Sequence, residues 1–347
     1  MRFILILILL PFSIFSQEKD SLKIKVSGFL ETYYAYDFSN PTTDTKLPFM
    51  YNYNRHNEFN VNNGLIRAQL QYGNTYASIA VHAGTYVDDN YASEDIKLVS
   101  EAYVGMYLND NKKSSIEVGI MPSYIGFESA TTATNLTLTR SILAENSPYF
   151  MTGIKYNYKP SDKWSFSGLV TNGWQRINRL DKTVTPALGT QIIYKPSEKA
   201  TLNWITFIGK EFYGTELAMR YFSNLYWDNT WNSKWRTILR FDFGIQDSSS
   251  MNDEHLFWMS PVFIAQYSIN PKWQTAVRVE YYQDEDNVIV ATSDAFKTSG
   301  ASINFDYLLN SKVKLRTEAR YFDSKEAIFF DTKTNNFFVT TSLSFEF

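Results

Sequence analysis

The sequence contains no cysteine. That excludes a disulfide framework, a thiol nucleophile, a cysteine-based metal centre and a lipidated N-terminal cysteine. Histidine is nearly as scarce, with His56, His82 and His255 the whole set and no paired spacing on one strand face. Metal sites want several such ligands converging, so neither a metal nor a cofactor is expected. Charge of one sign is missing too. There are 33 Lys and Arg against 36 Asp and Glu, a net charge of −3, which offers nucleic acid no basic surface. Glycine-rich phosphate loops and nucleophile elbows are absent. Past the first residues, no stretch reaches the ~18 consecutive apolar residues that a membrane-spanning helix needs.

The first residues read as an export signal. Arg2 supplies the positive start, Phe3 to Leu10 the apolar core, and Pro11 to Ser16 the approach to a cut before Gln17. The expectation is a signal over 1–16 and an exported chain over 17–347.

Aromatic residues are abundant: 24 Tyr, 26 Phe and 8 Trp, or 17% of the chain, beside a negative mean hydropathy. That combination fits a chain whose alternate residues face lipid and water, with aromatic girdles at both interfaces. The dominant period is two. Over 312–322, Lys312, Lys314, Arg316, Glu318 and Arg320 alternate with Val313, Leu315, Thr317, Ala319 and Tyr321. Over 273–282, Gln274, Arg278 and Glu280 alternate with Trp273, Thr275, Val277, Val279 and Tyr281. The closing segment puts Phe337, Val339, Thr341, Leu343, Phe345 and Phe347 on one face. This is strand spacing with one apolar and one polar face.

Short polar turns recur at 72–75, 109–113, 159–163, 195–199, 228–233, 269–272 and 309–312. Longer loops fall near 39–54, 88–97, 122–147, 174–183, 209–214, 246–256, 284–293 and 324–334. Seven short turns alternating with eight longer loops join sixteen strands, the pattern of an antiparallel transmembrane β-barrel of the bacterial outer membrane. The last strand, running to Phe347, should pair with a first strand near 22–38, since lipid forbids an open edge. A soluble β-sandwich is the rival, but its inner faces would not carry Arg67, Arg236, Arg240, Arg278, Arg316 and Arg320. A barrel of about sixteen strands encloses an aqueous interior where such charges cost little.

Several stretches resemble the OmpL-like β-barrel porin family, also called β-barrel porin-2. They are YYAYDFSNP (33–41), YNRHNEFN (53–60), HAGTYV (82–87), EAYVG (101–105), GIMPSYIGFESA (119–130), LTRSILAENSPYF (138–150) and NGWQRI (172–177). Beyond about 180 the likeness is one of strand pattern. The resemblance implies an outer-membrane channel and names no solute.

The loop over 122–147 follows the fifth strand, where general porins carry an inward-folding constriction loop. Glu128, Arg140, Glu145 and Tyr149 are its candidate constriction residues, because opposed charges across a neck test the charge of a solute. The equally weighted alternative is that they tie the loop to the wall. Candidate pore-lining residues are Glu31, Arg55, Glu58, Arg67, Glu101, Arg236, Arg240, Arg278, Glu280, Arg316, Glu318 and Arg320. Asn54 to Glu58 read as a hydrogen-bonded patch at the mouth, meeting Glu31 and Glu101. The expected function is passive diffusion of small hydrophilic solutes or ions with weak ion selectivity, and no catalysis. Outer-membrane lipid is the expected surrounding, and a homo-oligomer, a trimer, is a further expectation. Two other readings stay open: a barrel-embedded hydrolase, which needs a Ser beside a His, and an occluded structural or receptor barrel.

Overall fold

The alternating segments become sixteen antiparallel strands in the computed structural model, which describes residues 21–180, 185–248, 254–330 and 332–347. The signal expected over 1–16 lies outside the described residues. The first eight strands are β1 (Lys23–Asp37), β2 (Phe59–Tyr72), β3 (Thr75–Ala83), β4 (Val99–Tyr107), β5 (Ser114–Pro122), β6 (Phe150–Tyr158), β7 (Trp164–Thr171) and β8 (Ala187–Ser197). The second eight are β9 (Ala200–Tyr213), β10 (Glu216–Thr230), β11 (Trp235–Asp247), β12 (His255–Ser268), β13 (Trp273–Asp284), β14 (Phe296–Leu308), β15 (Val313–Ser324) and β16 (Asn335–Glu346). Two short helices, α1 (Thr85–Asn90) and α2 (Ile142–Glu145), sit inside loops.

Each strand pairs with its sequence neighbours, and β16 closes on β1 with Leu30 opposite Phe345 and Asp37 opposite Phe338. The terminal residue completes the seam: Phe347 N donates to Gly28 O at 3.0 Å and Gly28 N to Phe347 O at 2.9 Å. The Phe347 ring lies where a β-carbon on residue 28 would sit, so glycine there gives the closing aromatic its place. Closure leaves no unpaired strand edge, which removes the sandwich alternative.

The seven short turns fall where the sequence put them, and seven of the eight longer loops do so within a few residues. The exception is 209–214. There β9 and β10 run on as regular ladder until Tyr213 faces Glu216 across a two-residue turn. Gly214 at φ 58 occupies the first central position, as a hairpin turn of the II′ pattern requires. The polar text Lys210-Glu211 was misleading because Glu211 faces inward, and an inward carboxylate is ordinary strand sequence in this barrel.

The two faces follow the alternation. Leu30, Ile66, Ile79, Val104, Val277, Ile303 and Leu315 are exposed on the outside, while Glu31, Ser78, Glu101, Arg278 and Arg316 are buried inside. The short-turn rim carries cross-strand aromatic pairs: Trp164 on Tyr194, Trp235 on Tyr267 and Trp273 on Tyr307, with ring centroids 4.3, 4.7 and 4.6 Å apart. At the opposite rim, Phe38 meets Phe337 at 5.1 Å. These are two girdles bounding an apolar band.

Leu315 is paired with the girdle residue Tyr307, whereas Ile303, four residues further along β14 and opposite Val277 and Ala319, lies well inside the band. Ile303→Arg should therefore cost about 2–4 kcal/mol, and Leu315→Arg only about 0–1. Unfolding in lipid vesicles, read by the different gel migration of folded and boiled barrel, measures both. Equal costs would show that the band is drawn at the wrong height.

Candidate functional site: the loop-filled lumen

The inner wall is built from a contrast in side-chain length. The inward face of β14 is short, with Thr298, Gly300, Ser302, Asn304 and Asp306. Its neighbours β13 and β15 carry long ones, Arg278, Glu280, Arg316, Glu318 and Arg320, which lie across it. Gly300 makes the room: a β-carbon there would sit 2.7 Å from Glu280 Cγ. The result is a balanced lattice of three guanidiniums and three carboxylates. Arg316 grips Asp306 through Nε and Nη2 at 2.7 and 3.0 Å. Arg278 reaches Glu318 at 2.7 Å and Glu280 at 3.1 Å, and Arg320 reaches Glu280 at 2.6 Å.

The connection between β5 and β6, residues 123–149, enters the barrel and lies on this lattice. Thr139 N donates to Glu318 at 2.6 Å, Ile142 N to Glu280 at 2.7 Å and Leu138 N to Asn304 Oδ1 at 3.1 Å. In return the arginines donate to loop carbonyls: Arg316 to Thr132 O and Asn135 O, Arg278 to Thr139 O, and Arg320 to Arg140 O. Thr132 Oγ1 donates to Glu31, which also takes Tyr53 Oη and Ser342 Oγ. An irregular backbone away from water must find partners for its amides and carbonyls, and here wall side chains supply them. The GFESA motif adds Gly126, at φ 78 and so close to Arg240 that any β-carbon would strike the guanidinium. Two residues on, Glu128 accepts from Ser141 N at 2.9 Å and from the Ser141 hydroxyl.

This placement corrects the physical reason given for the inward charges. Arg278, Arg316, Glu318 and Arg320 are no more than 1% exposed, so they face the loop and not free water. An apolar core completes the filling. Leu47, Phe49 and Met50 of the β1–β2 loop, with Leu136, Ile142 and Leu143, pack on Phe207, Phe222, Trp258, Phe296, Phe322 and Phe338 of the wall. The upper inward faces of these wall strands thus carry a band of aromatic residues, with polar groups such as Glu211, Arg220 and Gln246 beyond it toward the mouth. Phe222 and Tyr282, two inward aromatic residues, belong to this core.

Among the described residues, two open chambers lie within the lumen. One of about 190 Å³ lies against β2–β5, lined by Arg67, His82, Glu101, Glu128, Arg140 and Tyr149. The other, about 240 Å³, is lined by Tyr51, Glu145, Trp174, Gln175, Arg176 and Arg220. Residues 140–149 border both. The Arg140 guanidinium lies 3.7 Å from the Tyr149 ring centroid, and Tyr149 Oη donates to Glu145 at 2.8 Å. Glu145 also takes Tyr51 N at 2.9 Å and Asn52 Nδ2 at 3.0 Å, which fastens the two loops together. Burial pushes the Tyr53 and Tyr149 phenols well up, so both stay protonated donors.

The remaining expected site residues spread out. Arg67 pairs with Glu101 on the first chamber's wall. Arg55 grips Asp89 at 2.7 and 2.8 Å, tying the β1–β2 loop to α1. Arg236 pairs with Asp228 near the short-turn rim, and Arg240 with Asp242. Glu58 is exposed and, among the described residues, takes a hydrogen bond from Asn60 alone. The 54–58 patch therefore does not meet Glu101, and Glu31 is met by Tyr53 from just outside it. His56 accepts from Asp37 N, His82 Nε2 faces Lys97 O, and His255 faces Asp247. No serine hydroxyl is hydrogen-bonded to a histidine among the described residues. Sequence reading missed the anchor Glu211, which takes Trp174 N at 2.7 Å and Arg176 at 2.9 Å; the NGWQRI stretch held its partners.

A closed sixteen-stranded barrel whose β5–β6 loop folds back onto the inner wall is a porin-type barrel. The sequence matches the family described as "Putative beta-barrel porin-2, OmpL-like" over residues 23–347, and the chain belongs to that family. It is a channel protein of the outer-membrane porin type, for the diffusion of solutes. Solved structures with the same fold include the outer membrane channel DcaP of Acinetobacter baumannii, at TM-score 0.65 and 13% identity over 94% of this chain and 97% of that one. An anion-selective porin from Comamonas acidovorans aligns at TM-score 0.63 and 10% identity, over 94% and 100%. OmpF of Salmonella typhi aligns at 0.58 and 13%, over 93% and 97%. At these identities the likeness is one of fold. No curated protein matches the sequence.

Arg316→Met would leave the buried Asp306 without its counter-charge, held only by Asn304 Nδ2, and would take a donor from the Thr132 and Asn135 carbonyls. Removing one member of a buried pair costs about 3–5 kcal/mol, so the loop should become open to proteases between 131 and 142; the double change with Asp306→Leu should recover much of that loss. Lys46 gives a pH test. It is buried with Nζ 4.1 Å from the Phe338 ring centroid, and burial pulls its ammonium from 10.5 to about 7. The undocked loop binds the proton more tightly, so docking should weaken as pH falls from 10.5 to about 7 and no further below. Lys46→Met should flatten that dependence in limited proteolysis.

Proposed function

We propose that this protein sits in the bacterial outer membrane and passively conducts small hydrophilic solutes or ions through a passage narrowed by the 123–149 loop. Glu128, Arg140, Glu145 and Tyr149 form the narrow part. The observation that carries the reading is the loop's position on the β13–β16 wall, filling that side with packed residues and leaving open space against β2–β5 and the mouth. The expected alternatives of filter or tie merge here, because one segment holds wall contacts through 131–142 and borders the chambers through 140–149. The reading includes no catalytic step, since each histidine ring is engaged by groups other than a serine hydroxyl.

A homotrimer is part of the same proposal. Strands β3–β7 are eight or nine residues long against 11–15 for the rest, which makes one low wall for a neighbouring subunit to cover. Removing residues 130–137 should raise single-channel conductance in a planar bilayer. Unaltered conductance in that variant, with the barrel still folded by its gel migration, would place the narrow part elsewhere. A native mass of one chain in detergent would remove the trimer.

A further inference from the structure

The carboxylates that border the two chambers already have donors. Glu101 holds Arg67 and Ser78, Glu128 holds Ser141, and Glu145 holds Tyr51, Asn52 and Tyr149. Two of the bordering cations are different. Arg67 and Arg176 have carboxylate partners, Glu101 and Glu211. Arg140 and Arg220 have none within 4.0 Å among the described residues, one in each chamber.

Arg140 is only 2% exposed, yet its Nε and Nη1 find no partner; Nη2 alone is bonded, to Ala144 O. A cation held away from water without a counter-charge is costly, and the cost falls when an anion arrives. Arg220, 5% exposed, donates Nε to Gln246 at 2.7 Å and is flanked by Trp174 and Trp258, with ring centroids 5.4 and 5.6 Å away. Arg140 has the Tyr149 ring beneath it in the same manner. Each station therefore offers a cation beside an aromatic face.

We infer that Arg220 and Arg140 are two successive binding stations for the carboxylate of a small organic anion with an apolar or aromatic body. This rests on the proposed passage along residues 140–149. Charge-assisted donors attract the carboxylate, and the rings that line the chambers, Trp174 beside Arg220 and Tyr149 beside Arg140, take the body. An anion leaving Arg220 in the outer chamber meets Arg140 across the partition. Two sites of this kind allow passage, because binding is strong enough for the solute to enter and is shared between places it can leave.

Reversal potential in a KCl gradient across a planar bilayer, followed by titration with sodium benzoate, tests this. The wild-type channel should prefer chloride to potassium, and benzoate should block the chloride current. Arg140→Gln and Arg220→Gln should each weaken the block about tenfold, the scale of one hydrogen bond to a charged group, and Arg140→Lys should keep the anion preference. Gel migration before and after heating reports that each variant is folded. A steady wild-type current that prefers potassium, or a benzoate block untouched by both Gln variants, overturns the anion stations while leaving the channel intact. No steady current from the folded wild type overturns both.

Discussion

The structure depends on how a stretch of irregular backbone, residues 131–142, is kept inside a barrel without water at its polar groups. A strand or helix satisfies its own amides and carbonyls; this segment does so only at the Thr132–Asn135 turn and where Ser141 and Ile142 open α2. Its partners are instead side chains of β13, β14 and β15. Arginine suits the carbonyls because one planar head has five donors, enough to hold a carboxylate and backbone together. Arg316 does so with Asp306 on one side and Thr132 and Asn135 carbonyls on the other. The carboxylates take the amides in the same way.

That arrangement also settles where the open space falls. Three positive and three negative groups in the lattice cancel among themselves, so the filled half of the lumen has little residual field. Two of the cations left without a carboxylate partner among the described residues, Arg140 and Arg220, stand next to the chambers. Packing by Leu47, Phe49, Ile142 and Leu143 against the aromatic upper wall keeps water from competing for the lattice. Polar lattice and apolar core therefore hold the same loop from two sides.

Much of the barrel was legible in the chain. Period-two alternation sorted Leu315 and Val277 outward and Arg278 and Glu318 inward, and turn text such as INPK and LNSK marked the short rim. The β9–β10 hairpin escaped because a buried Glu211 beside Lys210 reads like loop. The candidate site was legible only in its residue types. Glu128, Arg140, Glu145 and Tyr149 stood out as charges and an aromatic in a long segment, but their division into wall anchors and chamber linings depends on contacts with other elements, such as Glu145 with Tyr51 and Asn52 and the Arg140 carbonyl with Arg320.

The sequence by itself determined the strand count, the register-bearing alternation and the aromatic rims, because each is a local period or a local turn. Only the tertiary structure decided that the inward arginines are buried against a loop instead of bathed in water. Alternation tells which face a side chain takes; it carries no information on what else enters that face. That was decided by the matching of β14's short inward side chains to the long ones beside it, and of both to the backbone of 131–142.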